Sequence, residues 1–314
     1  MKNYVFGVDV GGTTVKIGLF DKEGKAIDKW EIPTRTANGG EAILPDIAKS
    51  IEDKMAEKNI SKDDLIGVGL GAPGPVDDNG MIHKAVNLGW GEFSIKEKLE
   101  GILGVQVEAG NDANVAALGE MWQGGGRGYK NVVAVTLGTG VGGGIIVDGQ
   151  ILSGTNGAAG EIGHIHLNDS ELSVCGCGNR GCLEQYASAT GVVRLAKRRL
   201  VADEKPSVLR DAELSAKTVF DAVKAGDEVA IDVAKEFGRC LGIGLAIVAA
   251  VMNPQIFVIG GGVSKAGPVL FDYIIPAYNN NVFPAARDIK FALAELGNDA
   301  GIYGAAKLVL DKAN

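Results

Sequence analysis

The chain has 314 residues, enough for about two domains and for a core that needs no disulfides. Its net charge of −8 argues against nucleic acid or an anionic membrane surface as a partner, since both select basic patches. The 46% apolar and 22% charged residues are those of a soluble globular protein, while the 47 glycines stand out, because such an excess implies tight turns or backbone that must approach a ligand closely. No secretory signal is expected, since Asp9 and then glycines interrupt the N-terminal apolar run. The longest apolar stretch, Leu241 to Met252, is far short of the ~20 residues that cross a bilayer. These features lead us to expect a cytoplasmic protein.

In chain order, residues 4–10 (YVFGVDV) read as a strand, Gly11–Thr14 as a turn, 15–20 (VKIGLF) as a second strand and Asp21–Gly24 as another turn. Residues 41–58 read as an amphipathic helix with Ile43, Ile47, Ile51 and Met55 on one face. An apolar run over 65–71 ends in the irregular Gly-Ala-Pro-Gly-Pro. An Ala-rich helix is expected over 113–122. The opening pattern then returns: strand 131–137, turn Gly138–Gly140, strand 142–147, turn Asp148–Gly149. The two units lie about 128 residues apart, which suggests two related α/β lobes. A long helix over 229–252 stops at Asn253–Pro254, because proline cannot continue it. Strand 255–260, a third glycine turn at Gly260–Gly262 and a helix over 301–312 complete the chain.

A strand that ends in glycines can aim several backbone N–H groups at one anion. A lone Gly-Gly pair also makes an ordinary hairpin, but two matched turns and a third are harder to dismiss, and Thr13 and Thr139 add hydroxyl donors. There is no GxxxxGK[ST] motif and no G-x-G-x-x-G opening a helix. The alternatives of a P-loop and of a Rossmann dinucleotide site are therefore disfavoured.

His164, Cys175, Cys177 and Cys182 have the spacing H-x10-C-x-C-x4-C. Clustered cysteines without an export signal suggest a metal before a disulfide, and four Cys/His ligands suit closed, tetrahedral zinc. The bland alternative is a glycine-rich loop with buried thiols. Cys240 reads as a small core residue; His83 and His166 read as surface or satisfied histidines.

The segment DVGGTTVKIGLF (9–20) resembles the first phosphate motif of the actin/hexokinase superfamily. LGTGVGGGIIVDGQILSGTNGAAGEIGH (137–164), with NDAN at 111–114 and CGCGNRGCLE at 175–184, resembles the signature of the ROK family of repressors, open reading frames and kinases. The resemblance runs through nearly the whole chain and is strongest to its bacterial glucokinases. It implies an α/β, two-lobed actin/hexokinase-like (ribonuclease H-like) fold with a cleft between lobes that close on sugar. The expected lobes are 1–118 and 119–299, with a C-terminal helix from about 300 packing back on the first.

The resemblance further implies ATP-dependent phosphorylation of a hexose, with Mg²⁺ as cofactor. Glucose is the expected substrate; N-acetylmannosamine, N-acetylglucosamine, fructose and allose are the alternatives. It places sugar contacts at Gly71, Asn87, Asn111, Asp112, Glu161, His164 and Glu184. It places phosphate contacts at Asp9, Gly11, Gly12, Thr13, Gly138, Thr139, Gly140, Gly261 and Gly262. Asp112 is expected to be the catalytic base and Asp9 to hold Mg²⁺, through water if not directly. Taken singly, Asn111–Asp112 could merely cap the helix that follows. The zinc would fix the loop bearing Glu184 and leave one imidazole nitrogen of His164 for the sugar. A homodimer or higher homo-oligomer is expected. The regulator branch of the family carries an N-terminal helix-turn-helix, which is not expected here because the first phosphate strand is expected to begin at about residue 4. A catalytically dead sugar-binding module is disfavoured by the intact Asp9, Gly11, Gly12, Thr13 and Asp112.

Overall fold

The computed structural model describes residues 2–313. The chain opens with β1 (Tyr4–Val10), β2 (Thr14–Asp21) and β3 (Ala26–Pro33), then a short α1 (Ala37–Gly40) and α2 (Ile43–Lys58). Next come β4 (Leu65–Ala72), the two-residue strands β5 (Met81–Ile82) and β6 (Phe93–Ser94), α3 (Ile95–Leu103), β7 (Val107–Asn111) and α4 (Asp112–Gln123). The pattern resumes with β8 (Val132–Leu137), β9 (Val141–Val147), β10 (Gln150–Ile151), α5 (Glu184–Ala187), α6 (Ala189–Ala202), α7 (Ala216–Lys224) and α8 (Glu228–Met252). The chain ends with β11 (Ile256–Gly260), α9 (Val269–Asn281), β12 (Lys290–Leu293) and α10 (Ala300–Lys312).

Two compact units result. The first holds the chain through Lys130, the strip Gly144–Gly160 and everything from Glu295 onward; the second holds Asn131–Gly143 and Glu161–Ala294. The expected boundary at 118 falls inside α4. That helix buries Val115, Ala117, Leu118 and Met121 and packs against α10, so it stays whole in the first unit.

The first sheet has the order β3-β2-β1-β4-β7, with β1–β2 and β2–β3 antiparallel and β1–β4 and β4–β7 parallel. The second sheet, β10-β9-β8-β11-β12, repeats it: β9–β10 is antiparallel, β8–β11 and β11–β12 parallel. Every residue of β4 is buried, as befits a parallel strand covered on both faces. β3 alternates half-buried and exposed residues, the pattern of an edge strand with one wet face. Sequence reading does not pick out β3 or β7, because their charged residues break up the apolar signal.

In α2, Ile43, Ile47, Ile51 and Met55 are all buried, each isoleucine contributing about 1.5–3 kcal/mol by leaving water. The helix α8 runs 25 residues and ends where Asn253 turns left-handed (φ 42°) and donates its N–H to Ala249 O. Cys240 is buried within it. Among the described residues no helix is long and apolar enough to cross a membrane.

Candidate active site and metal centre

In the first unit the chemistry gathers at the carboxyl ends of three adjacent parallel strands, where open α/β sheets bind ligands. The register sets Asp9 of β1 beside Gly71 of β4, Gly71 beside Gly110 of β7, and Ala72 beside Asn111. The turn after β1 is a hairpin: Gly11 N–H donates to Thr14 O at 3.0 Å. The end of β3 steadies it, since Thr34 donates its N–H to Thr13 O (3.0 Å) and its hydroxyl to Gly11 O (2.7 Å). Gly12 and Thr13 remain exposed at its tip. Asn87, in a 3-10 turn, is exposed beside it: a Cβ on Gly12 would lie 3.9 Å from that of Asn87.

Asn111 is the N-cap of α4. Its Oδ1 accepts from Ala113 N (3.1 Å) and Asn114 N (3.2 Å), and its Nδ2 donates to Gly74 O (3.0 Å) and Asp112 Oδ1 (3.1 Å). The capping role that sequence alone left open between the two residues thus falls to Asn111. Asp112 is the first helical residue, its Oδ1 also accepting from Ala113 N at 2.8 Å. Loss of hydration pushes the half-buried Asp9 carboxyl up to about 6; the negative charge of Asp112 adds to this, while Lys16 pulls the other way. A divalent cation beside Asp9 would reverse that balance.

In the second unit the turn after β8 has Gly138 N–H donating to Gly140 O at 3.0 Å. It is held from the start of α6, where Ala189 N–H donates to Gly138 O (2.8 Å) and Thr190 Oγ1 to Thr139 O (2.8 Å). The adjacent strand β11, paired Gly260 to Thr136, runs into Gly261 (φ 84°) and Gly262. Beside these glycines a cavity of about 160 Å³ is lined by α7 residues Ala216, Lys217 and Phe220 together with Val263 and Lys265. Nothing in the α7 sequence announced that cavity; an amphipathic helix reads the same wherever it packs.

Glu184 opens α5. Its Oε2 accepts from Val141 N at 3.0 Å and its Oε1 lies 3.4 Å from Cys175 Sγ. The close approach needs Gly140, where any Cβ would collide with Oε2. Glu161 is exposed, its Oε2 3.8 Å from His164 Nε2, while His164 Nδ1 faces Cys175 Sγ at 3.7 Å. Ligand atoms of His164, Cys175, Cys177 and Cys182 all lie within 4.8 Å of one another. Cys177 and Cys182 stand Sγ to Sγ at 3.7 Å, far beyond a disulfide and close to the edge of a tetrahedron with metal–sulfur bonds of about 2.3 Å, which is about 3.8 Å. The donor set and its geometry therefore fit a tetrahedral metal. Burial otherwise pushes the Cys182 thiol up to about 12, a value that coordination to a cation overturns.

His166 takes no part in this cluster: its ring nitrogens meet Arg180 O and Asp169 Oδ1, each at 2.8 Å. His83 is exposed, 4.0 Å from Glu92.

A duplicated sheet of this order, with glycine turns at the strand ends, defines the actin/hexokinase-like two-domain class of fold. Residues 5–312 match the ROK family, and the chain belongs to it. It is 46% identical to a glucokinase of Halalkalibacterium halodurans over 98% of this chain and 95% of that one. A ROK family glucokinase from Streptomyces griseus, in complex with glucose and AMPPNP, is 36% identical over 97% of this chain and 98% of that one, with a TM-score of 0.72. A ROK hexokinase from Thermus thermophilus is 32% identical over 98% and 97%, with a TM-score of 0.81.

Proposed function

We propose that the protein is an ATP-dependent hexose kinase that converts glucose to glucose 6-phosphate. The observation that carries this reading is 46% identity to a glucokinase over 98% of the chain, paired with two carboxylates, Asp9 near the end of β1 and Asp112 at the start of α4, gathered at the carboxyl ends of the parallel strands. In this reading Asp112 accepts the proton of the sugar 6-hydroxyl as that oxygen attacks the γ-phosphorus and ADP leaves. Asp9 holds Mg²⁺, through water where it does not reach the ion itself. When bound, the ion neutralises phosphate charge. Gly71, Asn87, Asn111, Asp112, Glu161, His164 and Glu184 hold the sugar, Asn111 chiefly by fixing Asp112. Gly11, Gly12 and Thr13, together with Gly138, Thr139, Gly140, Gly261 and Gly262, present N–H and hydroxyl donors to the phosphates. The cavity beside Gly262 takes the adenosine.

The metal held by His164, Cys175, Cys177 and Cys182 is zinc in this reading. With four protein ligands it has no open position for water, so its role is to hold Glu184 and the His164 ring in place. The reading also takes the enzyme to be cytoplasmic and a homodimer or higher homo-oligomer, an assembly state that sedimentation of the purified protein tests. A coupled assay across glucose, N-acetylmannosamine, N-acetylglucosamine, fructose and allose, with ATP and Mg²⁺, tests the activity. Glucose is expected to give the highest kcat/KM; a different preferred hexose would replace the substrate assignment, and no turnover of any would sink the kinase reading.

A further inference from the structure

The second residue of α10, Gly301, is buried and faces Asp9. A Cβ on Gly301 would come 2.5 Å from Asp9 Cγ, 2.6 Å from its Oδ2 and 2.9 Å from its Cβ. The three nearest heavy atoms thus all belong to one side chain. The far end of a long side chain could swing aside, but here the collision reaches back to the Cβ of a short residue at a strand end. Gly301 does not occupy the positive-φ region, so its backbone geometry does not demand glycine, and alanine would suit a helix better. What the position requires is space.

We propose that Gly301 is a positioning residue: the missing side chain at this point of α10 is what allows the Asp9 carboxylate to stand where it does, next to the Gly11–Gly12–Thr13 turn. Gly304, one turn further along α10, makes the contrast clear. A Cβ there would strike the main-chain oxygen of Val115, a purely structural contact between helices. Gly301 instead makes room for a functional side chain. The C-terminal helix, nearly three hundred residues away in sequence, thereby sets where the Asp9 carboxylate stands. The functional half of this inference rests on the reading of Asp9 as the holder of Mg²⁺; the contact itself does not.

Four proteins test it: wild type, Gly301→Ala, Asp9→Ala and the double variant. Melting temperatures in metal-free buffer read the contact without any activity. Gly301→Ala is expected to lower Tm by roughly 3–10 °C in the wild-type background, as overpacking does, and to leave it nearly unchanged once Asp9→Ala has vacated the space. Equal losses in both backgrounds would overturn the proposal. Should Gly301→Ala not fold, the double variant must fold as well as Asp9→Ala does, and its failure would overturn the proposal equally.

Kinetics read the role. Misplacing a reacting constellation by about 1 Å costs on the order of 10²-fold. Gly301→Ala is therefore expected to lose about that much kcat and to need more Mg²⁺, while the sugar KM stays within ~3-fold. Unchanged kcat and Mg²⁺ requirement in a Gly301→Ala protein that shows the Tm coupling would overturn the positioning role. A fully active Asp9→Ala would instead sink the reading of Asp9, with the Tm comparison still deciding whether the contact exists.

Discussion

Asp112 stands at the first position of α4 while Asn111 performs the capping. That division of labour separates two roles that neighbouring Asn and Asp residues otherwise share. Asp112→Asn keeps an acceptor for Ala113 N–H and leaves the cap untouched, so the fold and sugar binding are expected to persist. A positioned base contributes about 10²–10⁴-fold, and kcat is expected to fall by that range with little change in sugar affinity. Calorimetric sugar titration beside steady-state kinetics measures both; near-normal kcat would return Glu161 and Glu184 to candidacy as the base. At the metal cluster, one zinc per chain is expected from elemental analysis of protein purified without added metal. Cys177→Ser is expected to lose zinc to a chelator faster than wild type. Full folding and activity with no zinc would contradict the assignment.

The loop that carries Cys175 is tied to α6 by Glu171. Its side chain is wholly buried and accepts from Arg194 Nη2 (2.8 Å), Arg198 Nη1 (3.1 Å) and Nη2 (2.9 Å), and the Tyr186 hydroxyl (2.8 Å). Burial pushes this carboxyl upward, but Arg198, the Ser173 N–H, Tyr186 and Arg194 together hold it well below the usual carboxylate range. Because the folded state binds the proton more weakly than the unfolded chain does, the cluster stabilises fully above the ordinary value of 4.5. That contribution fades as the pH falls toward the depressed value. Removing one member of a buried ion cluster costs about 3–5 kcal/mol, and the half-exposed Arg198 brings the expected cost of Glu171→Ala down to about 2–3 kcal/mol. Urea unfolding should show that difference undiminished from pH 8 to pH 5 and shrinking below pH 4; a difference that grows in acid would mean that the ion cluster is not its source. Tyr186 lies two residues beyond Glu184 on α5, so the same variant is expected to raise the sugar KM more than it lowers kcat.

On the scale of the molecule, the first unit is assembled from three stretches of chain. α10 packs on β1, β4 and α4, burying Ile302, Ala305, Ala306 and Val309. Glu120 of α4 binds the chain just ahead of α10, its Oε2 and Oε1 accepting from Glu295 N (3.0 Å) and Leu296 N (2.9 Å). A fragment that stops at residue 130 keeps all five strands of its sheet yet loses this cover. It is expected to lack a cooperative thermal transition, and adding a peptide of residues 295–314 is expected to restore part of it. A sharp transition in the fragment alone, followed by circular dichroism, would show that α10 is dispensable to that core.

Local periodicity and turn chemistry determined much of the protein from its sequence. The glycine-ended strands, α2, the long α8 with its Asn253–Pro254 stop and the repeat across some 128 residues all follow from patterns within a few residues of each other. So does the Cys3His cluster, because its ligands sit close together in the chain. The strands β3 and β7 escaped because charged residues such as Asp28, Lys29 and Glu108 mask their period, although pairing with neighbours stabilises them as strands. Only the folded chain could place Asp9, Gly71 and Gly110 side by side, with Asn111 next along β7, since parallel register joins residues roughly sixty and forty apart with no local signature. It alone assigned the cap to Asn111 and put Gly301 against Asp9. Contacts of that kind are made by packing, and the energy that selects them appears only once the surfaces meet.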